Sequence, residues 1–139
     1  KGVKNDMAIS KKTLIFSSFT LGLFFLTAGL VYAAPVPTTK CKIYRYNDII
    51  VAKHCYTMTG EWRLSDYKVR CVGDGSAKYV INEPGYSWSN KYNACNPKSY
   101  SNEAHGISTA KLKKNGNPWK NSSIRCDAYG TLPAYISCY

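Results

Sequence analysis

The sequence predicts a small α+β domain that is β-dominated and stabilised by disulfides, with hairpins and at most one short helix. Short segments of alternating apolar and polar residues are separated by turn-forming residues. All six cysteines of the 139-residue chain follow residue 40, a region that contains no Phe and few large aliphatic residues. A domain with so small an apolar core needs disulfides for its stability.

The first 33 residues differ from the rest of the chain and contain all four Phe. Residues 1–6 precede an initiator-like Met and look like translated upstream sequence or an expression remnant. Residues 7–33 combine a basic stub and an apolar run, with Val31 and Ala33 at the −3 and −1 positions of a cut after Ala33, which is the pattern of a secretory signal peptide. The alternative is a membrane anchor, since about 20 apolar residues can span a bilayer. We predict the signal peptide, and therefore a secreted, extracellular protein.

Cleavage after Ala33 leaves 106 residues, in which a short tail over 34–40 precedes a single disulfide-rich domain over 41–138. This part has 15 basic and 7 acidic residues, a net charge of +8. Its aromatic residues are 11 Tyr and 3 Trp. Their polar groups suit half-buried or interfacial positions. We therefore expect a monomer whose surface carries both positive charge and aromatic rings.

The cysteines predict three disulfides, because their number is even and their spacing is wide. They are Cys41, Cys55, Cys71, Cys95, Cys126 and Cys138. The count alone does not determine the pairing, and a Cys41–Cys138 bridge that ties the ends together is our first choice. No C-x-x-C motif occurs and only two His are present. We predict no metal site and no cofactor.

Two hairpins are predicted in the first half of the domain, each from two strand-like segments joined by turn residues. The first hairpin has strands over 42–46 and 49–55 that are joined by a turn at 47–48. The second has strands over 67–72 and 78–81 that are joined by a turn at 73–76. A hairpin turn also accounts for Gly73 and Gly75, which therefore do not indicate a phosphate-binding loop.

The second half of the domain has weaker periodicity. Residues 85–103 are rich in Gly, Ser, Asn and Tyr, and we predict a long ordered loop held by Cys95. Residues 107–114 fit either a short helix that ends before an Asn-Gly pair or a strand, and we favour the helix. Two closing strands are predicted over 121–126 and 134–138.

A binding surface is predicted from basic residues interleaved with aromatic ones, a combination that suits polyanions such as RNA, acidic glycans or an anionic membrane surface. The alternative is diffuse charge that serves solubility. The chosen residues are Lys42, Tyr44, Arg45, Tyr86, Tyr92, Lys111, Lys113, Lys114 and Trp119. Tyr86 and Tyr92 belong to a segment that suits sugar or protein recognition, whereas Trp88 of the same segment is predicted to fill the core.

Two short motifs indicate processing in the secretory pathway. Asn121 begins an Asn-x-Ser sequon and is a predicted glycosylation site in a eukaryotic source. Lys113-Lys114 is a dibasic pair of the kind that secretory proteases cut. Neither motif identifies an activity.

The alternative function is a secreted ribonuclease that works without a metal, which needs a base, an acid and a cation near the phosphate. The candidate catalytic residues are His54, Glu61, Arg70 and His105. The order of these residue types along the chain resembles that in small fungal ribonucleases, and among the acidic residues only Glu61 preserves the order. A second alternative is a protein that binds carbohydrate in a cell wall. We favour binding over catalysis because no complete catalytic motif is present.

The leader, the six widely spaced cysteines and the many Tyr, Asn and Lys residues resemble those of small secreted cysteine-rich effectors and killer-type toxins. Plant-pathogenic fungi make many such proteins, and some, such as the powdery-mildew effectors, resemble inactive ribonucleases. The Tyr-x-Cys motif of the mildew effectors is not matched, because Thr39-Lys40 precedes Cys41. The resemblance implies a virulence factor or toxin that binds a host or competitor protein.

Overall fold

A computed structural model describes residues 32–139, which contain strands and turns and no helix. The strands are β1 Val36–Tyr46, β2 Ile49–Arg63, β3 Lys68–Cys71, β4 Ser76–Ile81, β5 Tyr86–Asn96, β6 Glu103–Lys114, β7 Asn117–Tyr129 and β8 Ile136–Cys138. The predicted β-dominated, disulfide-stabilised domain is confirmed, but within this range its class is all-β and not α+β. The helix predicted over 107–114 is wrong: these residues belong to β6, where burial largely alternates from one residue to the next.

The first sheet, which we call sheet A, is built around the long strand β2. Strand β1 pairs antiparallel with β2 along its whole length. The two strands are joined at Asn47 and Asp48, which both have positive φ (47° and 63°). This two-residue turn matches the right-handed twist of the strands it joins. The first predicted hairpin is confirmed.

The second predicted hairpin is wrong, although both of its strands exist. β3 and β4 pair antiparallel with β2, at residues 60–63 and 52–57 respectively, and form one interrupted strand at its other edge. Gly73 and Gly75 lie in the interruption with positive φ (68° and 75°). A Cβ on Gly75 would lie 2.5 Å from the Tyr56 hydroxyl. The two glycines therefore allow the chain to leave and rejoin the same edge.

The second sheet, sheet B, has the antiparallel order β5-β6-β7-β8. The long loop predicted over 85–103 is wrong for much of its length, because 86–96 form β5. This strand lies at the edge of sheet B, where a half-exposed strand needs few aliphatic residues. The Asn115-Gly116 turn joins β6 to β7, and the predicted strand over 121–126 is confirmed as part of β7. The last predicted strand is shorter than expected, since β8 has three residues.

The two sheets stack face to face, and their inward side chains are complementary in size. β2 contributes the buried side chains of Tyr56, Met58 and Trp62, whereas β6 contributes Ala104 and Gly106. A Cβ on Gly106 would lie 2.8 Å from the Tyr56 hydroxyl and 3.0 Å from the Met58 sulfur. Small residues of sheet B thus make room for large residues of sheet A.

All six cysteines form disulfides, in the pairs Cys41–Cys55, Cys71–Cys95 and Cys126–Cys138. The predicted Cys41–Cys138 bridge is wrong, because each of these cysteines lies directly opposite another partner in the register of its own sheet. Cys71–Cys95 joins β3 to β5 and thereby links the two sheets. Three disulfides in so small a domain are typical of extracellular proteins.

The predicted upstream remnant and signal peptide, apart from Tyr32 and Ala33, lie outside the described residues. The amide of Ala33 donates to the carbonyl of Trp62 at 3.0 Å. The predicted tail over 34–40 contributes its last five residues to β1. Within residues 32–139, no helix has the length and apolar character needed to cross a bilayer.

Candidate functional site

Three turns meet at one end of the domain, which we call the three-turn end. They are Asn47-Asp48, residues 83–85, and Asn115-Gly116. The amide of Asn115 donates to the carbonyl of Gly85 at 2.7 Å, joining the second and third turns. The Lys114 ammonium lies 3.3 Å from the centroid of the Tyr46 ring, joining the third turn to the first. Local turn chemistry therefore brings together segments that are far apart in the chain.

Five aromatic rings cluster at the three-turn end. The Trp119 ring packs edge-on against Tyr46 and Tyr86, with centroid distances of 6.1 and 5.4 Å. Tyr44 contacts Trp88 in the same manner at 5.6 Å. Tyr44, Tyr86, Trp88 and Trp119 are half-buried against a small apolar core of Val51, Ala52 and Leu112. The predicted core role of Trp88 agrees with this packing.

Lysine side chains lie over the rings of this cluster. Lys114 lies above Tyr46 and within 5.9 Å of the Tyr86 centroid, and Lys120 lies 5.7 Å from Trp119. Such cation–π contacts hold an ammonium beside an aromatic face. The Arg45 guanidinium is held nearby by donating to the carbonyl of Asp48 at 3.0 Å. The result is an ordered surface of rings and cations.

The structure brings together part of the predicted binding surface and separates the rest. Tyr44, Arg45, Tyr86, Lys113, Lys114 and Trp119 belong to the three-turn end. Tyr92 and Lys111 lie on the outer face of sheet B, and Lys42 lies on β1 opposite His54. The charge is therefore spread over several surfaces, and the aromatic rings are what distinguish this end.

A cavity of about 280 Å³ lies among the turns of this end, lined by aromatic, aliphatic and charged side chains. Tyr86 is one of its lining residues. Among the residues that the structure describes, the Tyr86 hydroxyl is the one buried side-chain polar atom without a hydrogen-bond partner. An unpaired buried polar group costs about 1–3 kcal/mol, so this position is unusual.

His54, a candidate catalytic residue, is fully buried between the sheets. Its ring nitrogens lie 2.6 Å from the Ser122 hydroxyl and 2.8 Å from the Ser108 hydroxyl, and its ring stacks on Tyr79 at 4.6 Å. Burial, assisted by the charge of Lys42, lowers the pKa of His54 to about 4. A neutral, enclosed imidazole cannot reach a substrate, so His54 is a structural residue of the core.

Glu61 lies on the outer face of sheet A and forms a closed set of contacts. One carboxylate oxygen accepts from the Tyr100 hydroxyl at 2.8 Å and the other from Arg70 at 2.9 Å. Hydrogen bonds from Tyr100 and then Arg70 hold the pKa of Glu61 below its usual value. The Tyr100 ring lies under the guanidiniums of Arg63 and Arg70, at 4.6 and 5.0 Å. Glu61 and Arg70 thus pair with each other, away from His54.

His105 lies on the outer face of sheet B, and the structure does not bring it to His54 or Glu61. Its Nδ1 donates to Asp127 at 2.7 Å, and the Tyr139 hydroxyl donates to the other oxygen of Asp127 at 2.8 Å. The bond to Asp127 raises the pKa of His105. Burial alone would raise the pKa of Asp127, but the bonds from His105 and Tyr139 lower it. Together with Arg125, these residues line a cavity of about 410 Å³.

Asn121 is exposed on β7, directly across from Lys111 of β6 on the outer face of sheet B. This position leaves room for a glycan, and its glycosylation stays a prediction. Within residues 32–139, no group of three or more His, Cys, Asp or Glu side chains is arranged to hold a metal ion.

Sequence reasoning did not select several residues that the structure places at these sites. The spacing of Asp127 was a usable signal. It lies two residues after Arg125 on one strand, so the two side chains lie on the same face of the sheet. No signal in the sequence links Tyr100 to Glu61, because their contact joins a loop to a distant strand.

The chain matches no protein-family model, no curated protein and no solved structure. What it does must therefore be inferred from the chemistry of its own surfaces.

Proposed function

We propose that this protein is a secreted effector or toxin that acts as a monomer by binding a host or competitor target through the three-turn end. The disulfides and the signal-peptide pattern support secretion. The resemblance to cysteine-rich effectors and killer-type toxins supports the class. The target is a host or competitor protein or a polyanion.

The clustering of aromatic rings and cations at one end carries the proposal. Aromatic and Arg side chains dominate the energetics of protein binding sites, and half-buried rings lose little entropy when a partner covers them. Tyr46 and Ile49 are 44% and 56% exposed at this end. Trp119 and Lys114 fix the position of the Tyr46 ring before any partner arrives, which favours affinity through preorganisation.

The proposal is tested by measuring which surface recognises defined probes. The probes are a single-stranded RNA oligomer, a heparin oligosaccharide, vesicles that contain phosphatidylserine, and neutral hexasaccharides. Trp119→Ala and Lys114→Ala alter the three-turn end, and Tyr92→Ala and Lys111→Ala are the matched controls on sheet B. We expect at least one probe to bind about tenfold more weakly to the first pair, as loss of a central contact implies.

Equal weakening by the control pair would indicate diffuse charge attraction and contradict the proposal. Failure of every probe to bind the wild-type protein would exclude a polyanion target and restrict the proposal to a protein target. Circular dichroism and thermal melts of all four variants show whether a loss of binding comes from loss of the fold.

His105 gives specific support to a second candidate function, the metal-independent ribonuclease. A carboxylate that holds Nδ1 orients the ring, so Nε2, which lies 3.5 Å from the Glu103 carboxylate, is the nitrogen that exchanges protons, and Arg125 could offset charge on a phosphate in the same cavity. Incubation with RNA in the presence of EDTA tests this function. Degradation that His105→Ala abolishes and Tyr92→Ala leaves intact would establish catalysis, whereas intact RNA would exclude it under those conditions.

A further inference from the structure

A further cavity lies on the outer face of sheet B, and we call it the sheet B groove. Its volume is about 310 Å³, and it is lined by Asn90, Thr109, Lys111, Asn121 and Ser123. Thr109 and Ser123 lie directly opposite each other on β6 and β7, and Lys111 and Asn121 form the next outward pair. The groove is therefore the space over two short side chains that are flanked by longer ones.

One side of the sheet B groove is formed by the acceptor of the single Asn-x-Ser/Thr sequon in the chain. Asn121 begins the sequon, Ser123 supplies its hydroxyl, and Ser122, which is not a proline, lies between them. Asn121 is exposed, whereas Ser122 is buried and its hydroxyl lies 2.6 Å from the His54 ring. The acceptor side chain is therefore exposed on a strand whose position the core fixes.

We propose that Asn121 carries an N-linked glycan and that its first N-acetylglucosamine ring lies in the sheet B groove. The inference rests on the proposed function, because the transfer takes place in a eukaryotic secretory pathway. In this transfer, Nδ2 of Asn121 bonds to the anomeric carbon of an oligosaccharide, and the bond from that carbon to a polyprenyl diphosphate breaks. The diphosphate leaves with the electron pair of that bond, and the amide releases one proton.

The covalent bond selects the occupant of the groove, and the lining residues suit that occupant. The volume is close to the lower limit of small-molecule sites, about 300 Å³, which fits one sugar ring. The Thr109 methyl and the Lys111 stem offer apolar contact to the face of the ring. The Asn90 amide and the Ser123 hydroxyl offer hydrogen bonds to its hydroxyls and its acetamido group.

The position of the groove along β7 sets the direction of the glycan. β7 begins at the three-turn end, and the groove extends from Asn121 to Ser123, farther from that end. A ring in the groove therefore leads the rest of the glycan over sheet B towards Tyr92, which lies opposite Thr109 and is 57% exposed. The glycan covers Lys111 and leaves the three-turn end open to a partner.

The first test places the chain, with its own leader, in a eukaryotic host and measures the mass of the secreted protein. We expect one N-linked glycan, which Asn121→Gln abolishes. An endoglycosidase that leaves one N-acetylglucosamine on Asn121 then gives a single-ring form. In its NMR spectrum, we expect nuclear Overhauser contacts from the ring to the Thr109 methyl. We expect none to the methyls of Ile107, the next outward residue of β6.

The second test measures how fast lysines are acetylated in the glycosylated protein and in Asn121→Gln. Lys111 lies directly across from Asn121 and should react about threefold more slowly when the glycan is present, because a glycan is bulky. Lys78 is the matched control, since it is exposed on sheet A. It should react at the same rate in both proteins.

A secreted protein without a glycan overturns the inference and leaves the proposed function standing. A first ring without contacts to Thr109 overturns the placement in the groove, as does equal reaction of Lys111 in the two proteins. If the leader does not direct secretion, the inference and the proposed function both fail.

Discussion

The two ends of the domain are built differently. At the end that we call the disulfide end, the core contains the buried side chains of Tyr56, Met58, Trp62 and Ile124. The bonds Cys71–Cys95 and Cys126–Cys138 belong to the same core. At the three-turn end, the core consists of Val51, Ala52 and Leu112 under four half-buried aromatic rings.

This difference separates stability from recognition. At the disulfide end, the core rings of Tyr56 and Trp62 are enclosed, and the Trp62 indole donates to the carbonyl of Tyr129 at 2.8 Å. At the three-turn end, rings are only partly covered and stay available to a partner. We infer that the first end holds the fold and that the second can change without unfolding it. The three predictions below test how far this separation extends.

The largest expected effect comes from replacing one Trp at each end. Trp62→Ala removes a side chain that is 1% exposed and should lower the free energy of unfolding by about 3–5 kcal/mol. Trp119→Ala removes a half-buried ring and should cost about half as much. Denaturant unfolding of both variants measures the difference. Equal losses of unfolding free energy would show that the two cores form one unit and would contradict the separation between the two ends.

His54 lies where the two cores meet, and its protonation gives the next effect. Its folded pKa of about 4 is below the value of 6.5 in an unfolded chain. The unfolded chain therefore binds more protons between these values, so stability is full above pH 6.5 and falls as the pH drops towards 4. The loss should be about 3 kcal/mol.

Unfolding free energies measured from pH 7 to pH 4 test this prediction, with an NMR titration of the His54 ring as a direct check. The chain has only two His, so His105→Asn is the matched control and should keep the fall in stability. His54→Gln should lose the part of this fall in stability that comes from His54, whatever the absolute stability of the variant. A His54 ring that titrates near 6.5 in the folded protein would show the prediction to be wrong.

Periodicity and turn chemistry predicted much of the fold, because strands and turns depend on nearby residues. The first hairpin could be predicted since Asn47-Asp48 tolerates positive φ between two alternating segments. The helix over 107–114 was wrong because the strand pattern is masked there: the inward Ser108 is polar and the outward Ile107 is apolar. Only packing against β2 determines which pattern applies.

Pairings between distant segments could not be predicted. The interruption between β3 and β4 depends on space for the Tyr56 hydroxyl, which no local pattern reveals. Two of the disulfide pairs depend on register within a sheet, and Cys71–Cys95 depends on how the two sheets stack. The candidate site was half predicted for the same reason: the residues were chosen by type, and the turns decide which of them meet.

The smallest expected effect concerns the charged pair on the outer face of sheet B. Asp127→Asn removes the carboxylate that accepts from His105, so the pKa of His105 should fall back towards its ordinary value. Because the folded pKa of His105 is raised, its protonated ring stabilises the fold below pH 6.5. This contribution is lost as the pH rises through the folded pKa. Because His105 is half exposed, the change in stability should stay below about 1 kcal/mol.

An NMR titration of the His105 ring in the wild type and in Asp127→Asn measures the shift directly. Glu103→Gln is the comparison variant, because Glu103 lies 3.5 Å from the other ring nitrogen and contributes less to the raised pKa. The larger decrease in the pKa of His105 should come from Asp127→Asn. A loss of several kcal/mol in that variant would mean that Asp127, through Tyr139, anchors the end of the chain, and that the disulfide end depends on its surface as well as on its core.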